Sequence, residues 1–150
     1  MIFIKELPNV QVDKKPSIQD FLELEWYEVN KTLIKRSSKL GEKVHVQLME
    51  KITYQDAQVI YVDEKRSLQI EIKPCLSIVL ESQDLTTIGR FCFDVGNRHL
   101  PIFQIKHNQI AVSYDARLFQ ALKEKYKDQV RLEELKLLPN QALKPFGNFM

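Results

Sequence analysis

A histidine follows directly on the end of a predicted helix, in the sequence Gly96-Asn97-Arg98-His99. Apolar residues before it recur at helical spacing and predict a helix over residues 85–95 with one face packed inward; they are Ile88, Phe91, Cys92 and Val95. Gly96 is expected to end this helix in a left-handed conformation, which costs glycine nothing. His99 then lies beyond the turn, on the surface, ahead of the apolar run 100–105.

An exposed imidazole is a donor for a borderline metal such as Ni(II). The residues alone leave a second interpretation open, in which His99 hydrogen-bonds the last carbonyls of the helix. Asn97 and Arg98 are poor metal ligands, and we expect structural roles for both, with Arg98 paired to Asp94 four residues earlier.

The other potential ligands of a metal are scattered. His107 falls in a tight turn, and His45 is expected to point outward from a strand into solvent. The two cysteines, Cys75 and Cys92, are too few and too far apart for a disulfide framework or a zinc ribbon. Cys92 lies on the apolar face of the predicted helix and is interpreted as a small core residue.

Composition places the chain among soluble globular proteins. Of its 150 residues 44% are hydrophobic and 28% charged, and the net charge of +2 is too balanced for a nucleic-acid-binding surface. No apolar run is long enough to span a membrane, and the first residues lack the pattern of a signal peptide. We therefore expect a cytoplasmic protein that binds neither nucleic acid nor membrane.

The two halves of the chain differ in hydrophobic period. In the first half apolar residues alternate with polar ones, as at Leu22, Leu24 and Trp26, which predicts a small all-β domain over residues 1–74. In the second half, strands at 76–80, 101–105, 110–114 and 130–137 alternate with helices capped by Asp84 and Asp115. This βαββαβ order predicts a ferredoxin-like domain over 75–138, so the fold class is α+β. Residues 139–150 are expected to form a flexible tail.

The chain resembles the UreE family, the nickel metallochaperones of urease assembly. The resemblance rests on Gly96-Asn97-Arg98-His99 after a helix, on the strand Leu22-Glu23-Leu24-Glu25-Trp26 running into a basic segment, and on Tyr114-Asp115 opening a later helix. It covers nearly the whole chain. It implies an N-terminal β domain that binds a partner or peptide, a C-terminal ferredoxin-like domain, a homodimer, and a nickel site formed by His99 of both protomers.

What the resemblance implies for function is nickel delivery. His99 is the one metal ligand assigned, the cargo is Ni(II), and Zn(II) or Cu(II) are expected to bind the same site. The implied partners are the urease-accessory GTPase, the other urease accessory proteins and apo-urease. The chain departs from the family where accessory histidines occur, since it carries Ser113, Tyr114 and Ala116 there and has no histidine after His107.

No constellation of an enzyme is present in the sequence, which lacks a nucleophile elbow, a P-loop and a His-Glu-x-x-His helix. This is typical of a protein that is not an enzyme, and the resemblance to UreE implies a carrier. The competing hypothesis is a metal-independent adaptor whose β domain binds a protein segment along a sheet edge. A basic cluster in that domain is either a docking surface for an acidic partner or a solvated face; it comprises Lys31, Lys35, Arg36, Lys39 and Lys43.

Overall fold

The computed structural model describes residues 1–9 and 16–144 and divides into two compact units, Met1–Lys73 and Pro74–Met150. The first unit contains six strands, β1 (Ile2–Ile4), β2 (Ile18–Leu24), β3 (Leu33–Ser37), β4 (Lys43–Gln47), β5 (Val59–Val62) and β6 (Arg66–Ile72). The second contains β7 (Cys75–Glu81), α1 (Leu85–Gly96), β8 (Phe103–Lys106), β9 (Gln109–Ser113), α2 (Ala116–Tyr126) and β10 (Val130–Leu135).

The first unit is built from two three-stranded sheets, with strand orders β1-β4-β3 and β2-β6-β5. In each sheet one pair is parallel and the other antiparallel. The alternating apolar residues predicted from the sequence form the core, including Leu22, Leu24, Val46, Leu68 and Ile72, all of which are fully buried. Burial of alternate residues on each strand is what positions the remaining side chains on the outer faces of the sheets.

The spacing of Trp26 from Leu24 predicted that Trp26 continues the strand, and this prediction is wrong. β2 ends at Leu24, and a 3₁₀ turn runs over Trp26–Glu28. The reason is local, because the Glu28 carboxylate reaches back three residues and accepts a hydrogen bond from the Glu25 backbone N–H at 2.9 Å. This is the capping-box arrangement, which begins a helical turn and ends the extended strand.

The second unit has the predicted βαββαβ order, and its four-stranded antiparallel sheet has the strand order β10-β7-β9-β8. The two helices pack their apolar stripes against this sheet in one core cluster that includes Phe91, Val95, Leu122 and Tyr126. Strand order and helix packing together are those of a ferredoxin-like domain. The α+β fold class, an all-β unit followed by a ferredoxin-like unit, is confirmed.

Part of the segment predicted as a tail lies against β8. A 3₁₀ turn spans Pro139–Gln141, Ala142 pairs with Phe103, and the Leu143 N–H donates to the Ile102 carbonyl at 2.8 Å. The rest of that segment, residues 145–150, lies outside the described residues. Among the described residues, no helix is both long enough and apolar enough to cross a membrane.

Candidate metal site

Helix α1 carries the candidate ligand, and its first turn is fixed by Asp84. The Asp84 carboxylate accepts hydrogen bonds from the Thr86 N–H at 3.2 Å and from the Thr87 hydroxyl at 2.8 Å. These hydrogen bonds hold the pKa of Asp84 below its usual range, so the cap is ionised at the positive end of the helix dipole. The predicted N-cap is therefore present, and the helix begins where the sequence indicates.

The helix ends in a tight turn that places His99. The backbone N–H of Asn97 bonds to the Phe93 carbonyl, that of Arg98 to Val95, and that of His99 to Gly96, each at 3.0 Å. The last two are three-residue bonds of the 3₁₀ type, which tighten the end of a helix.

The prediction that Gly96 adopts the left-handed conformation is wrong. Gly96 is the last residue of α1, and the only glycine of positive φ in the described part of the chain is Gly41. Because the 3₁₀ bonds continue the turn beyond Gly96, the reversal comes three residues later, at His99, whose φ is 57°. A residue with a Cβ pays about 1–2 kcal/mol for that conformation, and such strain tends to occur at functional positions.

His99 is exposed, as predicted. Its backbone N–H caps the turn, but within residues 1–9 and 16–144 its imidazole makes no hydrogen bond, ion pair or ring contact. The alternative in which the side chain satisfies the last carbonyls of the helix is thus not the arrangement observed. With respect to the described residues, both ring nitrogens are open to an external ligand.

The last turn of α1 is tied to α2 through Asp94. Its carboxylate accepts hydrogen bonds from the Lys125 ammonium at 2.7 Å and from the Tyr126 hydroxyl at 2.6 Å. Lys125 and Tyr126 hold the pKa of Asp94 below its usual range, while burial and the Asp94 charge raise the pKa of Tyr126. The predicted ion pair between Asp94 and Arg98 is not formed, because Asp94 pairs with Lys125 instead. Arg98 only attracts the Asp94 carboxylate through space. The turn carrying His99 therefore follows a helix end held by two charge-assisted hydrogen bonds.

The remaining histidines are not assembled with His99 into a ligand cluster. His107 is exposed in the β8–β9 turn, as predicted. His45 is not the solvated residue expected. It is half-buried, its ring centroid lies 4.8 Å from that of Phe3, and its Nε2 atom is covered, with no hydrogen-bond partner among the described residues. Within the described ranges no three His, Cys, Asp or Glu side chains are grouped to hold an ion. The described residues therefore offer no cluster that would supply the other ligands of a metal at His99.

The two cysteines are half-buried. Cys92 packs against the core cluster of the second unit, and its burial raises the pKa of the thiol, so it is protonated and a poor ligand at neutral pH. Cys75 lies 3.7 Å from the Ser77 hydroxyl. The interpretation of Cys92 as a small hydrophobic residue agrees with this packing.

The left-handed backbone at His99 gives a stability prediction. The His99→Gly and His99→Ala variants both lack the imidazole, so the difference between their stabilities reports the backbone strain alone. The glycine variant should be more stable by about 1 kcal/mol. Asn97 is the matched control, because its φ of −62° is helical and glycine there should be the less stable replacement. Chemical denaturation measures both differences, and an alanine variant at 99 as stable as the glycine variant would contradict the strain.

Several curated relatives of the chain carry the same name. No protein-family model matches it. The urease accessory protein UreE of Acetivibrio thermocellus is 32% identical over 123 residues, which are 81% of this chain and 80% of the relative. The chain belongs to the UreE family. UreE of Flavobacterium johnsoniae is 28% identical over 135 residues, which are 87% of this chain and 80% of the relative. UreE of Actinobacillus pleuropneumoniae is 32% identical over 106 residues, which are 69% of this chain and 55% of the relative.

Membership in the UreE family confirms the resemblance found in the sequence. It gives the chain a role as a urease accessory protein, and the prediction that it is not an enzyme is confirmed by the names of these relatives. The relatives' names do not identify the residues that act, so the role of His99 rests on its geometry.

Proposed function

We propose that this UreE-family chain is a cytoplasmic, homodimeric nickel metallochaperone that binds Ni(II) through His99 and delivers it for assembly of the urease active site. The observation that carries the proposal is an exposed imidazole, without a partner among the described residues, on a strained turn at the end of a helix anchored by Asp94. A side chain that does not contribute to the core and sits on a costly backbone conformation is typical of a functional position, which supports an external ligand for His99.

A shared site follows from the number of donors. One imidazole holds a metal ion weakly, but a two-fold axis beside His99 would bring a second imidazole into the same coordination shell. Water and donors from elsewhere would fill the other positions. A site with so few protein ligands suits a carrier, which has to bind its ion and then release it.

The chemistry of the donor does not select nickel by itself. Imidazole binds Ni(II), Zn(II) and Cu(II), with copper ahead of nickel in intrinsic affinity, so Zn(II) or Cu(II) would compete for His99. We propose that supply and protein partners decide the cargo in the cell. Those partners would be the urease-accessory GTPase, the other accessory proteins and apo-urease.

The domains would divide this work. Residues 75–138 would form the metal-binding domain, residues 1–74 the domain that binds a partner or peptide, and residues 139–150 a tail without histidine. Ser113, Tyr114 and Ala116 stand where the family carries accessory histidines, which argues for a carrier of few ions rather than a nickel store.

Urease activation separates the metallochaperone from a metal-independent adaptor. In cells that express urease and its accessory genes without this chain, the wild type should restore urease activity at limiting nickel, and His99→Ala should restore at most about a tenth of it. Excess nickel should raise the activity obtained with the variant. Full activity from His99→Ala at limiting nickel would favour the adaptor, since an adaptor needs no imidazole.

A further inference from the structure

The five basic residues of the predicted cluster fall into two classes. Three are paired, since Lys31 and Arg36 bind the Glu28 carboxylate, and Lys39 lies 3.4 Å from that of Glu71. Lys35 and Lys43 are exposed and have no acidic partner among the described residues. Lys35 and Lys43 are therefore the two cations of the cluster without an acidic partner, while Lys31 and Arg36 share one carboxylate.

Lys35 and Lys43 lie on the outer face of the sheet β1-β4-β3. His45 on β4 is in register with Phe3 on one side and with Lys35 on the other, so the three side chains form a row across the sheet. Lys43 precedes His45 by two residues and shares its face, because side chains alternate along a strand. The opposite face of the sheet carries the core residues Ile34 and Val46.

This outer face is apolar as well as basic. Three large apolar side chains on or next to the edge strands are exposed: Phe3 (58%) in β1, Met1 (73%) just before β1, and Leu33 (57%) in β3. The Phe3 ring packs on His45 and forms one wall of an open groove of about 450 Å³ that Met1, Lys35 and Lys43 also line. Scattered exposed apolar residues are ordinary, but an aromatic side chain beside two unpaired cations in one groove is typical of a binding surface.

His45 adds a polar atom without a partner. Its Nε2 is covered by neighbouring atoms and has no hydrogen bond within the described residues. A covered polar atom costs free energy until it is paired.

We infer that the groove on the β1-β4-β3 face, defined by Phe3, Lys35, Lys43 and His45, docks an acidic segment of a partner protein with an apolar side chain between its carboxylates. The apolar side chain packs on Phe3, and the carboxylates pair with Lys35 and Lys43. This docking surface is on the face of the sheet, not on its edge, and it does not depend on metal binding at His99.

The charges favour a protein segment over other polyanions. A membrane surface is recognised by clusters of about 4–8 basic residues, and nucleic acid by about 6–10 phosphate contacts. Two unpaired lysines beside an aromatic ring match a short acidic segment with one apolar anchor, in which two ion pairs set orientation and the anchor provides burial.

Fluorescence anisotropy with a labelled peptide tests the docking surface on the full chain. The probe has about ten residues, with a central Phe-Leu pair flanked by glutamates. We expect Lys35→Glu combined with Lys43→Glu to weaken its binding about tenfold or more, and Phe3→Ser to do the same. Lys51→Glu and Met49→Ser are matched controls, because both residues are exposed in the same domain away from the groove, and their affinities should stay within about twofold of wild type.

Circular dichroism of each variant verifies that it is folded, and a His99→Ala protein should bind the peptide as the wild type does. Equal peptide affinity in the charge-reversed and wild-type proteins would overturn the docking surface. So would tighter peptide binding after removal of residues 145–150, because the chain's own end would then be the occupant. Binding to phosphatidylserine vesicles that Lys35→Glu and Lys43→Glu abolish, without peptide binding, would assign the face to a membrane instead.

Discussion

Replacing His99 with alanine is expected to weaken nickel binding by about a hundredfold or more while leaving the fold intact. Changing a residue that only supports a metal ligand costs about 10–100-fold in affinity, and removing the ligand itself from both halves of a shared site should cost more. His99 is exposed and packs on nothing in the core, so its loss should change the free energy of unfolding by less than about 0.5 kcal/mol. Isothermal titration calorimetry at neutral pH measures the affinity.

His107→Ala is the matched control for this variant. His107 is also an exposed histidine at the end of an element, so the substitution removes an imidazole from the surface without removing the proposed ligand. Its nickel affinity should equal that of the wild type. If His99→Ala bound nickel undiminished, or if His107→Ala lost as much affinity, the assignment of His99 would be wrong.

Replacing Arg36 with methionine is expected to destabilise the protein by about 3 kcal/mol. Arg36 binds the Glu28 carboxylate through two hydrogen bonds, of 3.0 and 2.6 Å, and the Glu28 side chain is only 8% exposed. Methionine keeps most of the aliphatic stem but leaves a buried carboxylate with fewer partners, which typically costs about 3–5 kcal/mol. Thermal or chemical denaturation measures the loss.

Lys39→Met is the control, since the Lys39–Glu71 pair is longer, at 3.4 Å, and more exposed. The loss of this pair should cost less than about 1 kcal/mol.

The dependence of stability on acid provides a second readout. The hydrogen bonds from Arg36, with those from the Glu25 backbone and Lys31, lower the pKa of Glu28 from 4.5 to about 2. A carboxylate with a lowered folded-state pKa stabilises the fold above pH 4.5, and that stability is lost as the pH falls from 4.5 toward 2, in total about 3 kcal/mol.

Without Arg36 the pKa of Glu28 should be less depressed, so the fall in stability between pH 4.5 and 2 should be smaller in the variant than in the wild type. An identical acid dependence in the two proteins, or a destabilisation no larger than that of Lys39→Met, would show that the pair contributes little.

The starts of both helices could be predicted from neighbouring residues. Asp84 and Asp115 start α1 and α2 as predicted, because a side-chain cap and a helical apolar stripe are local signals. The end of β2 was missed although its signal is local, since Glu28 three residues after Glu25 forms the capping box that turns the chain at Trp26. Alternation of apolar residues extended the strand too far there.

Features that depend on distant partners were not predictable. Asp94 pairs with Lys125 on the other helix, 31 residues away, and not with its nearer neighbour Arg98. Likewise, Phe3 and His45 come together only through the register of β1 and β4. At the candidate site, the sequence placed His99 correctly on the surface after α1, but it assigned the left-handed residue to Gly96 because glycine adopts that conformation most readily.

The stoichiometry of nickel, measured by equilibrium dialysis together with molecular mass from light scattering, tests the shared His99 site most directly. We predict about one tightly bound nickel for every two chains, or one for every four if two dimers share an ion, and none in His99→Ala. One or more tight ions per chain, retained after His99→Ala, would contradict a site formed by His99 of two protomers.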